Sequence, residues 1–195
     1  MKLLLLAASF ACMLAPKAYS QYEIVVNTGG AVNCVTSPRE SGFSAFLWSV
    51  GGTVNVAVNA VLQPSKPNLS TIQIAKNIDQ CSSPQLQRSF FTGARFPTVV
   101  LTQYRTATRS DLPQPMAVVT LTDAILTQYS LSGSADSSAT ENLAFAFGKL
   151  CIKDYKYDSL GSGTSTQACY NVTTATESAM SILLNSKSQL LRQTK

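Results

Sequence analysis

The sequence contains no histidine among its 195 residues. This absence removes the most common general base, the Ser-His-Asp and Cys-His nucleophile arrangements, and most zinc sites. Acidic residues are also few, with Asp and Glu together numbering 10, and no spaced pair of carboxylates suggests glycoside hydrolysis. The sequence therefore argues against an enzyme, and it predicts no catalytic, cofactor-binding or metal-binding residue.

Residues 1–20 have the pattern of a secretory signal peptide. Lys2 precedes a short apolar run, and residues 18–20 (Ala-Tyr-Ser) provide the small residues that signal peptidase accepts before Gln21. A retained membrane anchor is the alternative, but the apolar run is short and is closed by Pro16. We therefore expect a secreted or periplasmic protein whose mature chain begins at Gln21.

The mature chain also lacks a long hydrophobic run and a basic stripe. No apolar stretch after residue 20 is long enough for a membrane-spanning helix, so stable membrane insertion is not expected. Removing Lys2 and Lys17 with the signal peptide leaves 13 of the 15 basic residues against 10 acidic ones, a net charge of +3. These basic residues are scattered along the chain, which argues against nucleic-acid binding.

Four cysteines follow the predicted signal peptide: Cys34, Cys81, Cys151 and Cys169. An even number of cysteines in an exported protein indicates disulfides. If residues 149–157 and 166–172 form a hairpin, Cys151 lies opposite Cys169, which leaves Cys34 to pair with Cys81. Free buried thiols are the alternative, because the pairing depends on an assumed register.

Alternation of apolar and polar side chains predicts a mainly β protein. The alternation is clearest in two stretches separated by a polar loop at 132–141. Their predicted inward-facing residues are Val119, Leu121, Ile125, Tyr129, Leu131, Leu143, Phe145 and Phe147. Further strands are predicted over residues 22–26, 43–50, 54–62, 72–78 and 96–104, with an exposed polar loop at 106–114.

Two segments predict helices instead. In residues 83–92, Ser83 is a candidate cap, Pro84 suits the first turn, and Gly93 can end the helix in a left-handed conformation. After Thr173 the apolar spacing changes to a helical period, which predicts a C-terminal helix over about 175–191. That helix would either pack on its own domain or contact a neighbouring subunit.

The amino-acid sequence resembles that of the Hcp family, the tube proteins of type VI secretion. The resemblance is carried by residues 121–134, by residues 140–149, and by an early strand that contains the single tryptophan. It extends over about residues 22–173. The residues that match the family's motifs are Trp48, Tyr129, Gly133, Thr140, Glu141 and Lys149.

The resemblance implies a small β-barrel of two antiparallel sheets with one short flanking α-helix. It also implies a homo-oligomer in the form of a hexameric ring, with a secreted cargo protein or a spike protein as further partners. In the family, rings stack through an extended loop after the tryptophan strand. The corresponding residues here are Val54, Val56, Val58 and Leu62.

Tube subunits of this family assemble in the cytoplasm without a signal peptide or a disulfide framework, whereas this sequence predicts both. We therefore expect three parts: a signal peptide (1–20), an Hcp-like barrel (21–173) and a helical extension (174–195). The predicted function is that of an exported structural or interaction protein that resembles the ring-forming tube subunit and secreted effector. The alternative is a secreted or periplasmic binding module that uses the same barrel to hold a protein or small ligand.

Overall fold

A computed structural model of the chain describes residues 22–37, 40–58, 62–105, 113–158, 163–172, 174 and 176–183. The predicted signal peptide lies outside these residues, as do positions 106–112 of the predicted polar loop and positions 184–191 of the predicted C-terminal helix. The part of the chain that is described contains fifteen β-strands and one α-helix. The mainly β class predicted from the alternation of side chains is confirmed.

The strands in chain order are β1 (Tyr22–Asn27), β2 (Val35–Ser37), β3 (Glu40–Ser41), β4 (Phe43–Ala45), β5 (Leu47–Ser49), β6 (Gly52–Thr53), β7 (Val56–Val58), β8 (Leu62–Pro64), β9 (Asn68–Leu69), β10 (Ile72–Asn77), β11 (Arg95–Arg105), β12 (Gln114–Ser134), β13 (Ser137–Tyr157), β14 (Gly163–Asn171) and β15 (Thr176–Leu183). The helix is α1 (Ser82–Thr92).

Seven strands curl into a nearly closed barrel. Their antiparallel order is β4-β1-β11-β12-β13-β10-β5. The two end strands, β4 and β5, follow each other in the chain and are separated by Phe46, whose N–H donates to the carbonyl of Ala75 at 3.0 Å. The segment 43–49 therefore joins the two ends of the sheet. The predicted barrel is confirmed, and the two predicted sheets are parts of one continuous sheet.

The interior is filled by the apolar residues of these strands. Val119, Leu121, Leu143 and Phe145 are all buried, as the alternation predicted. Leu86 of α1 is fully buried and belongs to the same core, so the helix is packed on the barrel through its apolar face. Burial of such side chains removes apolar surface from water and stabilises the fold.

The buried face of β12 changes parity at Asp123. This residue has a φ of +53°, which turns the backbone out of the extended conformation. Ala124 and Leu126 take the next core positions, whereas Ile125 is partly buried and Leu131 is 53% exposed. The prediction that Ile125 and Leu131 continue the buried row is therefore wrong, because a strict period of two does not persist across the irregular backbone.

Helix α1 lies close to its predicted position, but Ser83 is not its cap. The side chain of Asp79 accepts the backbone N–H groups of Cys81 and Ser82, the first at 2.8 Å. The hydroxyl of Ser83 instead accepts the N–H of Asp79 at 3.0 Å. The predicted end of the helix is confirmed, since Gly93 has a φ of +62° and its N–H donates to the carbonyl of Phe90.

The C-terminal helix predicted after residue 174 is wrong over residues 176–183. These residues form β15, which is paired with β14 from Asn171↔Thr176 to Thr164↔Leu183. Without β15, one side of β14 would present a row of backbone N–H and C=O groups with no strand to pair with them. Pairing across this edge outweighs the local helical spacing of the apolar residues.

Both predicted disulfides are present. Cys151 and Cys169 occupy directly opposite positions of β13 and β14, with their Cα atoms 4.0 Å apart. Cys34 is bonded to Cys81, with a Cα–Cα distance of 5.9 Å. The first disulfide joins two neighbouring strands, and the second ties the segment after β1 to the start of α1.

Candidate assembly surface and its supporting network

The loop predicted to carry assembly contacts forms a two-stranded arm, which we define as residues 51–70 and which is described except at 59–61. Its strands pair as β6 with β9 and as β7 with β8. Val54 is 46% exposed between β6 and β7. Val56 and Val58 belong to β7, and Val58 is paired with Leu62 of β8. The four predicted assembly residues are thus brought together in one arm.

The arm continues the β5–β10 hairpin beyond the barrel. Its base is closed by Ser70, whose N–H donates to the carbonyl of Gly51 at 2.8 Å. The hydroxyl of Ser70 also accepts the N–H of Gly51 at 3.1 Å. Farther along the arm, the N–H of Ser65 donates to the carbonyl of Asn55 at 2.7 Å. These bonds hold the two sides of the arm together.

Exposed apolar side chains precede the arm. Phe46 is 54% exposed and Leu47 is 57% exposed, and both belong to the segment that closes the barrel. Apolar side chains exposed to this extent lose contact with water if another molecule packs on them. Phe46, Leu47 and Val54 therefore place candidate contact groups on the barrel wall and on the arm that leaves it.

The sheet also presents a backbone edge. Among the described residues, β15 is hydrogen-bonded on one side only, to β14. The other side of such a strand offers N–H and C=O groups that can pair with a strand of another molecule. The arm and the β15 edge are therefore two candidate elements for strand-mediated assembly.

At the other end of β10, a buried ion pair lies beneath α1. Lys76 of β10 is paired in register with Glu141 of β13, and its Nζ lies 3.0 Å from Glu141 Oε2. The Lys76 side chain is 1% exposed and that of Glu141 is 0% exposed. Lys76 Nζ also donates to Ser83 Oγ at 3.1 Å and lies 2.8 Å from Asp79 Oδ2.

A tyrosine extends this network to β12. Tyr129 donates its hydroxyl to Glu141 Oε1 at 2.7 Å and accepts a hydrogen bond from Gln87 Nε2 at 2.8 Å. Burial and the hydrogen bond to Glu141 raise the pKa of Tyr129 to about 12, although the bond from Gln87 opposes the shift. The network therefore connects β10, β12 and β13 to α1.

Asp79 joins the same network to the first turn of α1. Burial favours its neutral form, but hydrogen bonds from Lys76, Ser82 and Cys81 outweigh burial and hold the pKa of Asp79 well below its usual range. The carboxylate thus contacts the ammonium group of Lys76, the hydroxyl of Ser82 and the backbone N–H groups of Cys81 and Ser82 at the helix start. This arrangement fixes where α1 begins on the barrel.

The contact between Lys76 and Ser83 has the atom types of a base and a nucleophile, but its surroundings favour a structural role. Ser83 is 3% exposed and Lys76 1% exposed, and two carboxylates balance the ammonium charge. Within the described ranges, no group of three or more Cys, Asp or Glu residues is arranged to hold a metal ion. No helix in those ranges has the length and apolar character needed to cross a membrane.

The other motif residues occupy positions in the barrel wall. Trp48 packs against the core and donates its indole N–H to Gln103 Oε1 at 3.3 Å. Thr140 bonds through its hydroxyl to a serine across the β12–β13 hairpin at 2.8 Å. Gly133 lies in the same hairpin, where an added Cβ would be 3.3 Å from an alanine side chain, and Lys149 is half-buried in β13.

Lys76 is not among the site residues predicted from the sequence. A signal was present, because Lys76 has the same parity as Ile74 in β10 and Glu141 has the same parity as Leu143 in β13. A cation and an anion at core-facing positions of two strands are expected to pair if those strands are neighbours. The sequence did not reveal that β10 and β13 are neighbours.

Comparison with solved structures gives the same fold. "Structure of a type six secretion system protein" has a TM-score of 0.71 at 16% identity, over 80% of this chain and 99% of that chain. Hcp1 from Salmonella typhimurium has a TM-score of 0.64 at 18% identity, over 82% and 100%. A type VI secretion system effector from Yersinia pestis has a TM-score of 0.53 at 20% identity, over 76% and 99%.

The family comparison covers more than half of the chain. The sequence model described as "Type VI secretion system effector, Hcp" matches residues 36–153, which extend from β2 into β13. The search of curated proteins gives no match. The matched region includes the arm, α1 and the buried network. On this match, supported by the shared fold, the chain belongs to the Hcp family, the tube and effector proteins of type VI secretion systems.

Proposed function

We propose that this chain is an exported Hcp-like structural protein that assembles with copies of itself into a ring. The observation that carries the proposal is the arm, a two-stranded ribbon built as a continuation of the barrel wall. A hydrogen-bonded ribbon presents its outer backbone edges to a neighbour. We propose a hexameric ring, with a secreted cargo protein or a spike protein as a further partner.

Assembly through the arm is supported by the side chains near it. Phe46, Leu47 and Val54 are each about half exposed, so contact with a neighbouring copy would remove apolar surface from water. Closed rings form when one surface of a subunit contacts a different surface of the next subunit. The arm and the β15 edge lie on different elements and are candidates for these two surfaces.

Export is supported by the cysteine pairing. Cys34 and Cys81 form one disulfide, and Cys151 and Cys169 form the other. Structural disulfides persist in oxidising compartments and are rare in the cytosol. Together with the predicted signal peptide at 1–20, they favour a secreted or periplasmic protein whose mature chain begins at Gln21.

A structural role is favoured over catalysis by the state of the polar groups. The most concentrated cluster of charges, around Lys76 and Glu141, is buried and engaged in hydrogen bonds. Its members join strands to α1 rather than line an open cleft. We propose that this cluster supports the shape of the subunit and takes no part in a reaction.

Light scattering of residues 21–195, purified from an oxidising compartment and measured over a range of concentrations, tests the assembly. We expect the mass of a hexamer. The variant Val54→Arg should reduce assembly, because it places a charge on the arm. The matched control is Leu131→Arg, which changes an exposed apolar residue near α1, at the other end of the barrel wall.

A monomer at every concentration would overturn the proposed ring and would favour the binding-module alternative. Equal loss of assembly in the two variants would show that the arm has no special part in it. For export, the full chain is produced in a bacterial host and the N-terminus of the periplasmic or secreted product is sequenced. We expect it to begin at Gln21, and an unprocessed cytoplasmic product would contradict export.

A further inference from the structure

We infer that Tyr170 is the positioning residue that fixes the direction of the arm relative to the barrel. This inference rests on the proposed function, in which the arm makes the assembly contacts. Tyr170, on β14, donates its hydroxyl to the backbone carbonyl of Pro67 in the arm at 3.1 Å. The two residues are 103 positions apart in the chain, so this bond ties the arm to a strand outside its own hairpin.

The arm needs such a tie because its connection to the barrel is irregular. In the barrel, β5 and β10 pair with Ser49 opposite Gln73. In the arm, Gly52 is opposite Leu69, so the register has changed by one residue between the two pairs. An isolated two-stranded ribbon is marginally stable in water, and a change of register lets its direction vary. A contact from another strand restricts that variation.

The backbone around Tyr170 is fixed to β13. It is paired with Leu150 of β13, and the preceding residue, Cys169, is covalently bonded to Cys151 of the same strand. Just beyond β14, the N–H of Val172 donates to the carbonyl of Gly148 at 2.8 Å. The backbone that carries the phenol group is therefore fixed to the barrel wall on both sides of Tyr170.

The acceptor of this hydrogen bond, the carbonyl of Pro67, lies beside the paired strands of the arm. Pro67 directly precedes β9, and the next two residues, Asn68 and Leu69, pair with β6. Leu69 also packs against the hydrophobic core. The bond from Tyr170 thus reaches the arm near its base, where a small change of angle produces a large displacement of the tip.

The chain offers a matched control for this bond. Tyr157 donates its hydroxyl to the carbonyl of Pro115 at 3.0 Å, and both this bond and that of Tyr170 are partly buried. Tyr157 lies at the end of β13 and Pro115 at the start of β12, so their bond does not involve the arm. The substitutions Tyr170→Phe and Tyr157→Phe each remove one tyrosine–carbonyl hydrogen bond.

The test is hydrogen exchange of the oxidised protein, residues 21–195, at a concentration where it is monomeric. Tyr170→Phe should accelerate exchange of the arm amides, those of residues 51–58 and 62–70 other than the two prolines, by roughly fivefold, which corresponds to the loss of one net hydrogen bond. Tyr157→Phe should leave the exchange of these amides unchanged. Protection of β11 and β12 should persist in the Tyr170 variant.

Unchanged exchange in the arm of Tyr170→Phe, or equal acceleration in the two variants, would overturn the inference. A second measurement compares ring formation by light scattering, where Tyr170→Phe should weaken assembly and Tyr157→Phe should not. If the unmodified protein never forms a ring, the proposed function fails, but the exchange experiment still decides whether Tyr170 positions the arm.

Discussion

Lys76 and Glu141 form an ion pair that is closed to solvent, with Nζ and Oε2 3.0 Å apart on neighbouring strands. Burial of two charges is costly, so such a pair is stable only when its remaining hydrogen-bonding groups are satisfied. Here Ser83, Asp79 and Tyr129 provide the additional contacts. The pair therefore acts as the centre of a network that joins α1 to three strands.

Glu141→Gln should lower the free energy of unfolding by about 3 kcal/mol, because it leaves a buried ammonium group with Asp79 as its one remaining carboxylate. Denaturant unfolding of the oxidised protein measures this change. The control is Asp123→Asn, which removes the carboxylate of the exposed Arg95–Asp123 pair and keeps a residue that tolerates positive φ.

The control Asp123→Asn should lower the free energy of unfolding by about 1 kcal/mol or less, because both side chains of the Arg95–Asp123 pair are exposed to solvent. Equal destabilisation in Glu141→Gln and Asp123→Asn would show that burial of the Lys76–Glu141 pair has no special importance for the stability of the barrel.

The lowered pKa of Asp79 predicts that the folded protein loses stability in acid. Its pKa in the folded protein lies well below the ordinary value of 3.8. A depressed pKa contributes stability that is present above the unfolded pKa and is lost as the pH falls below it. Asp79→Asn should therefore be less stable than the unmodified protein at pH 7, and this difference should shrink as the pH falls from 5 to 3. A difference that stays constant over this interval would contradict the assignment.

The raised pKa of Tyr129 predicts that the folded protein loses stability in alkali. Its pKa is raised from 10.0 to about 12 in the folded protein, so its contribution is present below pH 10 and is lost as the pH rises toward 12. Tyr129→Phe should cost about 1–3 kcal/mol at pH 7, since Glu141 and Gln87 each lose a hydrogen-bond partner.

The measurement for Tyr129 is unfolding in denaturant between pH 9 and pH 12. The difference between Tyr129→Phe and the unmodified protein should narrow over this range. Tyrosine absorbance of the folded protein provides a second readout, in which one late-titrating group should disappear in the variant. Identical titration curves would contradict the raised pKa.

The two disulfides should stabilise the protein unequally. Cys34 and Cys81 are separated by 47 positions and Cys151 and Cys169 by 18, and a longer loop loses more chain entropy when it is closed. Replacement of the first pair by serine should cost about 4 kcal/mol and of the second about 3 kcal/mol. Unfolding of the two double variants under oxidising conditions checks the order, and a larger cost for the shorter loop would contradict it.

Local sequence patterns predicted the structure correctly where the residues that determine it lie within one short stretch of the chain. The barrel strands followed from the alternation of side chains, and the end of α1 followed from Gly93, whose lack of a side chain permits the left-handed conformation. The Cys151–Cys169 pairing followed from an assumed hairpin, because the register of a hairpin is set by nearby residues.

Local patterns failed where distant strands compete for the same residues. The apolar spacing of residues 176–183 is compatible with a helix, but backbone pairing with β14 makes them a strand. The row of buried residues in β12 changes parity at Asp123, which no periodic reading of the strand predicts. Ser83 was a plausible cap by residue type, yet the N–H groups of Cys81 and Ser82 at the helix start donate to the carboxylate of Asp79, which also reaches Lys76.

The sequence by itself determined the mainly β class and the location of α1, because these depend on residue type and on short spacings. It left the pairing of the cysteines open, because that pairing depended on an assumed hairpin register. The tertiary structure alone decided that β4 and β5 close the barrel, that Lys76 meets Glu141, and that Tyr170 reaches the arm. Each of these contacts joins segments far apart in the chain. Their geometry is set by how the whole sheet curls, which no local pattern of residues specifies.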